Sequence, residues 1–202
     1  MDQIKFRVDG TLPLLLHNNQ MADPLNIFKK AMAQVTGKRK RTDSDELLLS
    51  RIEWEGGLYF DSDGFLAMPG QNIERMILDA AKKNKNGVKV KEGLRVEDNF
   101  ARLEVGVKFK REVAPESVED IPSECLDKFY PKFFDRRSAK NGQSTIIRTR
   151  PRFDKWAFEF TVIFRPEIIN KAVVVETMKV ASTQICCGDY RPRYGAFDFK
   201  VI

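Results

Sequence analysis

The chain has 202 residues, 42% of them hydrophobic, a net charge of +6, three cysteines and a single histidine. That length suits one large domain or a domain with big insertions, and the positive balance admits an acidic partner. One histidine excludes multi-histidine metal sites and Cys/His zinc fingers, an odd cysteine count with Cys186 beside Cys187 argues for a reducing cytoplasm, and no apolar run reaches membrane-spanning length.

Residues 4–16 open as a strand, with Ile4, Phe6 and Val8 alternating before Leu12, Leu14 and Leu16, and with a bend expected at Gly10. Asp23-Pro24 reads as a helix start, and Leu25, Phe28, Met32 and Val35 follow on one face up to Gly37. After the basic run Lys38-Arg39-Lys40-Arg41, Asp43 and Glu46 resemble a capping pair for a second helix carrying Leu48, Leu49 and Ile52, ended by Gly56-Gly57. A hairpin is expected over 57–68, turning at Asp61-Ser62-Asp63-Gly64. Ile73, Met76, Ile77, Ala80 and Ala81 define a helix over 71–85 with lysines in its last turn. Residues 88–97 read as a short polar strand or hairpin arm, and Leu103, Val105, Val107 and Phe109 alternate as a half-buried strand.

Residues 111–147 hold Pro115, Pro122, Pro131 and Gly142 without sustained periodicity, so they read as a mobile insertion or one ordered by a partner. Its exit is basic, with Arg148, Arg150 and Arg152 alternating. Trp156, Phe158, Phe160, Val162 and Phe164 make a strand, Val174, Met178, Ala181 and Ile185 mark a helix over 168–186, and Phe197, Phe199 and Val201 close the chain as a strand over 196–202.

With the insertions removed, the order is β (4–16), α (71–85), β (101–109), β (155–164), α (168–186), β (196–202). This is βαββαβ, an α+β ferredoxin-like core within a single domain 1–202. The sheet face away from the helices would present Glu104, Lys108, Glu159, Thr161, Asp198 and Lys200, with no aromatic pair on which bases stack. Binding to nucleic acid would then fall to loops and insertions.

This pattern resembles the RAMP superfamily, and more narrowly the backbone subunit of Cascade-type CRISPR effector complexes. The resemblance rests on a ferredoxin-like core with an insertion at 17–70, a second at 110–154, and a glycine-bounded loop, Gly188 to Gly195, before the last strand. The tracts LLLHNNQMADPLN, KRKRTD, EWEGGLYF and GDYRPRYGAF are also similar to small phage and prophage proteins. The resemblance implies fingers or web at 17–70 and a thumb at 110–154. It implies a non-catalytic subunit, with no cofactor or metal, that self-associates along single-stranded RNA (a guide RNA) or single-stranded DNA, beside other effector subunits. Two alternatives come with it: a phage-encoded decoy mimicking such a subunit, and a RAMP-type ribonuclease.

Several residues are candidate nucleic-acid contacts. Lys38, Arg39, Lys40 and Arg41 form a loop cluster that suits phosphate, against a solvated loop beside Asp43, Asp45 and Glu46. Arg148, Arg150 and Arg152 suit a phosphate backbone, or else protect an edge strand by charge. Tyr190, Arg191, Arg193 and Tyr194 flank Pro192 and suit phosphate contact and stacking, or else a turn with its arginines on Asp189 and Asp198. Phe129, Tyr130, Phe133 and Phe134 either wedge between bases or neighbours, or form a satellite core. The RAMP resemblance places His17 near nucleic acid. It also raises Asp23, since some target-cleaving relatives use an aspartate there, but Asp23 reads as a helix cap. Cys186 and Cys187 read as buried.

Overall fold

The computed structural model describes residues 1–107, 110–111, 132–142 and 144–202. It is a mixed α+β protein with five α-helices and several antiparallel sheets among those residues. In chain order the elements are β1 (Asp2–Gly10), β2 (Leu14–Leu15), α1 (Ile27–Thr36), α2 (Asp43–Gly56), β3 (Ala67–Pro69), α3 (Gly70–Lys83), α4 (Gly87–Gly93), β4 (Leu94–Val96), β5 (Phe100–Arg102), β6 (Phe134–Asn141), β7 (Ser144–Phe153), β8 (Ala157–Phe164), α5 (Lys171–Val180) and β9 (Phe197–Val201). Two compact units result: Met1–Leu14, Tyr59–Arg111 and Phe153–Ile202 form the first, Leu15–Leu58 and Glu112–Arg152 the second.

The first unit is built on a four-stranded sheet in the order β4–β8–β1–β9, antiparallel throughout. Alternation sets its register: Ile4 opposes Val162, Phe6 opposes Phe160 and Val8 opposes Phe158, all buried. Phe6 stacks on Phe160 with centroids 5.5 Å apart. The stripe expected on α3 is buried at all five positions, as are Val174 and Met178 of α5. β1 ends at Gly10 and the chain bends at Thr11–Leu12; glycine is required at position 10 because a β-carbon there would lie 2.2 Å from Trp156 Nε1. The hairpin turn is present, with Asp61 N–H donating to Phe65 O and Gly64 at a φ of +80°.

The strand expected over 101–109 is not the one that pairs with β8 as an element; the preceding segment takes that place. β4 supplies the pairs with β8, while β5 leaves that sheet to pair with β3. The chain returns at Glu104, which bridges Ala157, and residues 108–109 lie outside the described residues. The detour is held by Thr161 N–H donating to the Asp98 carboxylate at 2.7 Å and Gly70 N–H donating to Asn99 O at 2.8 Å. Alternation survives only in part: Leu103 and Val105 are buried, as is Ala101, but Val107, expected on the same face, is exposed. Of residues 88–97, read as a short polar strand or hairpin arm, 94–96 are strand β4, while 88–93 belong to helix α4. The helix expected over 168–186 ends as α5 and continues as a π turn, Ala181–Ile185.

In the second unit, α1 and α2 bury Phe28, Ala31, Met32, Val35, Leu49 and Ile52 against one another. Both helix starts differ from expectation. Asp23 does not cap α1; its carboxylate accepts from Leu25 N–H and closes a turn, leaving Asn26 to cap by accepting from Phe28 N–H at 2.9 Å. Leu25 is therefore outside the helix and 76% exposed. For α2, Thr42 and Asp45 make the capping box, one residue earlier than Asp43 and Glu46. β6 and β7 form a hairpin inside the segment expected to be mobile, with β7 central in the order β2–β7–β6.

Candidate functional site

Two places in the molecule gather the candidate residues. The first is the Gly188–Gly195 loop of the first unit. Its ends are pinned: Cys187 N–H donates to Gly195 O and Gly195 N–H donates to Pro13 O, both at 2.8 Å. Gly188 and Gly195 have φ of +77° and +74°, a backbone that side chains disfavour. Tyr190, at +54°, shares that region, and the Arg191–Pro192 peptide is cis. Arg191 and Arg193 are exposed, and neither makes an ion pair among the described residues, so the expected alternative of pairing with Asp189 and Asp198 is not realised. Tyr190 and Tyr194 are half-buried rather than free for stacking on both faces.

A groove of about 500 Å³ borders this loop, lined by Asp79, Ile185, Tyr190 and Arg191 among others. Asp79 is already held by Arg75 and Lys82 at 3.0 and 3.1 Å. Burial opposes its charge, but those two hydrogen bonds outweigh burial and keep its pKa below the ordinary value. Beneath the loop, Cys186 and Cys187 are buried free thiols. Burial pushes Cys187 up to about 12 and raises Cys186 as well, so both are protonated at neutral pH. Cys125, Phe129 and Tyr130 lie outside the described residues.

The second place is a cavity of about 280 Å³ in the second unit. It collects His17, Lys29 of α1, Glu53 of α2, and Arg148 and Arg150 of β7 from four separate stretches of local structure, which no reading along the chain joins. The register explains the arginines: Arg148 opposes Arg137 and Arg150 opposes Asp135, so all four residues share one face of the hairpin. The arginine row is therefore real, but two buried acids partly neutralise it. Glu53 accepts from Arg148 Nη1 at 2.5 Å and from Thr149 N–H at 2.7 Å, and Asp135 pairs with Arg137 and lies 3.9 Å from Arg152 Nη1. On its other side β7 meets only the two-residue β2, with Leu16 N–H donating to Pro151 O at 3.0 Å. Asp135 and Glu53 were not anticipated as partners; their sequence neighbourhoods carry no sign of the hairpin that meets them.

The remaining candidates separate. In the basic run, Lys38 pairs with Asp45 at 2.5 Å and Arg41 with Glu46 at 2.7 Å, while Arg39 and Lys40 are exposed and without ion pairs among the described residues. Phe133 and Phe134 are buried, so the wedge reading fails for them: Phe134 stacks on Trp54 at 5.0 Å, and Trp54 Nε1 donates to Phe133 O at 2.7 Å. The outer face of the four-stranded sheet is polar and knitted together, with Arg7 donating to both Glu104 oxygens at 2.6 and 2.8 Å and Lys5 on Glu159 at 2.8 Å. Hydrogen bonds from Arg7 and Lys5 hold Glu104 and Glu159 below the usual carboxylate range. No helix among the described residues is long and apolar enough to cross a membrane. No protein-family model matches the chain, and no curated protein matches it in sequence.

Proposed function

We propose that the first unit is a ferredoxin-like core and that the protein is a non-catalytic, RAMP-like subunit that binds single-stranded RNA and assembles along it. The strand order supports the core: β1, β4, β8 and β9, taken as strands one to four, lie in the order 2–3–1–4, with α3 and α5 in the two crossovers. The sheet's outer face is occupied by its own ion pairs, so contact with a strand falls to loops. The observation that carries the reading is the pair Arg191 and Arg193, exposed and without ion pairs among the described residues, on a loop anchored by backbone hydrogen bonds at both ends. An anchored loop loses little entropy on binding, and each guanidinium contacts a phosphate through a rigid fork of donors.

The test is fluorescence anisotropy of a labelled single-stranded RNA across a salt series. Wild type binds with affinity that falls as salt rises. The R191A/R193A variant keeps the wild-type circular dichroism and lowers the slope of log K against log salt by about 1.4, two contacts at about 0.7 each. An unchanged slope, or no binding by wild type at low salt, refutes the assignment.

A further inference from the structure

The open edge of the four-stranded sheet is complementary to itself, and we infer that two copies of the chain join through β9, Phe197–Val201, as an antiparallel strand pair. The contact uses no residue of the Gly188–Gly195 loop. It is two-fold and closes at two copies, so it is separate from growth along RNA.

β9 pairs with β1 on one side and, among the described residues, with nothing on the other. Hydrogen bonding between antiparallel strands alternates, so every second residue turns its N–H and C=O away from the neighbouring strand. Ile202 N–H donates to Lys5 O at 3.0 Å and Thr11 N–H donates to Ala196 O at 2.9 Å, which sets the even-numbered residues toward β1. Phe197, Phe199 and Val201 therefore hold their backbone donors and acceptors toward the open edge. Such an edge accepts a further strand unless proline, a bulge or charge guards it. β9 contains no proline, and its register with β1 runs without a bulge from Phe197 to Val201. Its charged residues, Asp198 and Lys200, are of opposite sign.

Those charges select both the partner and the register. Asp198 and Lys200 are exposed, and neither makes an ion pair among the described residues. Across to β1 each meets its own sign, since Asp198 opposes Asp9 and Lys200 opposes Arg7. Like charges directly opposite destabilise a strand pair, and opposite charges stabilise it. A second copy centred on Phe199 places each Asp198 opposite the other copy's Lys200. It also sets Phe199 opposite Phe199, and Val201, 43% exposed, opposite Phe197. These last pairs are the ones whose backbone groups face the edge, so each exchanges both of its hydrogen bonds. A slip to the next such register puts Asp198 against Asp198 in one direction and Lys200 against Lys200 in the other. Charge and backbone polarity thus agree on one register, and a second copy of this strand satisfies it.

Sedimentation equilibrium of the intact, ribonuclease-treated protein from micromolar to millimolar concentration tests the pairing. The expected result is a reversible rise from the 23.3 kDa of one chain to twice that mass. Asp198→Lys and Lys200→Asp each set like charges across the contact and weaken dimerisation at least about tenfold. Both positions are exposed, so each variant keeps the wild-type circular dichroism. The double exchange D198K/K200D restores the dimer, and a mixture of the two single variants forms a heterodimer, because opposite signs face each other again. As concentration rises, the Phe199 and Val201 amides gain protection from hydrogen exchange. The R191A/R193A variant dimerises as wild type does, which separates this contact from the loop. A monomer over the whole range, a dimer that Lys200→Asp does not weaken, a double exchange that does not recover, or a dimer with the Phe199 amide unprotected overturns the inference.

Discussion

Gly195 shows how one residue holds the loop. Its φ is +74° and an added β-carbon would lie 1.8 Å from Cys187 O, a backbone atom that cannot move aside. Gly195→Ala should therefore lose at least about 2 kcal/mol in urea unfolding, combining the left-handed penalty with the clash. At the start of α2, Asp45 is lowered from 3.8 to about 2, first by the Lys38 hydrogen bond and then by Thr42 N–H. Its proton binds more readily in the unfolded chain, so its contribution is complete above pH about 4 and disappears as pH falls toward 2. Asp45→Asn should flatten the acid limb of a stability–pH curve in that window. The thiols give a third check: at pH 7 the native protein should leave Cys186 and Cys187 unreacted with a thiol reagent that labels them promptly in denaturant, since burial keeps both protonated. The glycines of the loop were legible because both take a left-handed backbone that favours glycine, and at Gly195 there is no room for a β-carbon. The caps were legible to within one to three residues, because Thr42, Asp43, Asp23 and Asn26 are all capping types and only the backbone path chooses among them.

At the scale of elements, hydrophobic period succeeded where one face is buried along the whole element. Every expected core position of α3 is buried, and β8 alternates as read. It failed at 88–93, a helix in place of part of the expected arm, and at 100–107, where a detour to β3 interrupts the expected strand. Leu103 and Val105 are buried, so the alternation reports burial; it does not report which partner strand supplies it. The β6–β7 hairpin was illegible for a related reason. Its strands are dense in arginine, and they are ordered by contacts far away in sequence: Trp54 on Phe134, and Glu53 on Arg148 and Thr149. Trp54→Ala should accordingly cost about 3–5 kcal/mol by denaturant titration, the range for an emptied aromatic site. Its further effect should be loss of amide-exchange protection in 134–141 and 144–152, while β1 and β8 keep theirs.

For the molecule as a whole, the proposed assembly along RNA predicts that mass by light scattering rises in steps with the length of added single-stranded RNA and returns to the RNA-free value after ribonuclease treatment. A mass independent of RNA length removes the polymer reading and leaves the decoy alternative, in which the protein joins an existing complex instead. Composition, period and turn chemistry, all local quantities, were enough to establish from sequence an α+β chain, most of the core positions of β1, α3, β8 and α5, the strand break beside Gly10, the turn at Asp61–Gly64 and the glycine-bounded loop before β9. Only the tertiary structure decided which charges remain available. It engaged Lys38, Arg41 and Arg148 with acids, left Arg39, Arg191 and Arg193 exposed without ion pairs among the described residues, and drew His17, Lys29, Arg148 and Arg150 around one cavity. Pairing of a charge depends on distance in space and on burial, and neither is written in the spacing of residues along a chain.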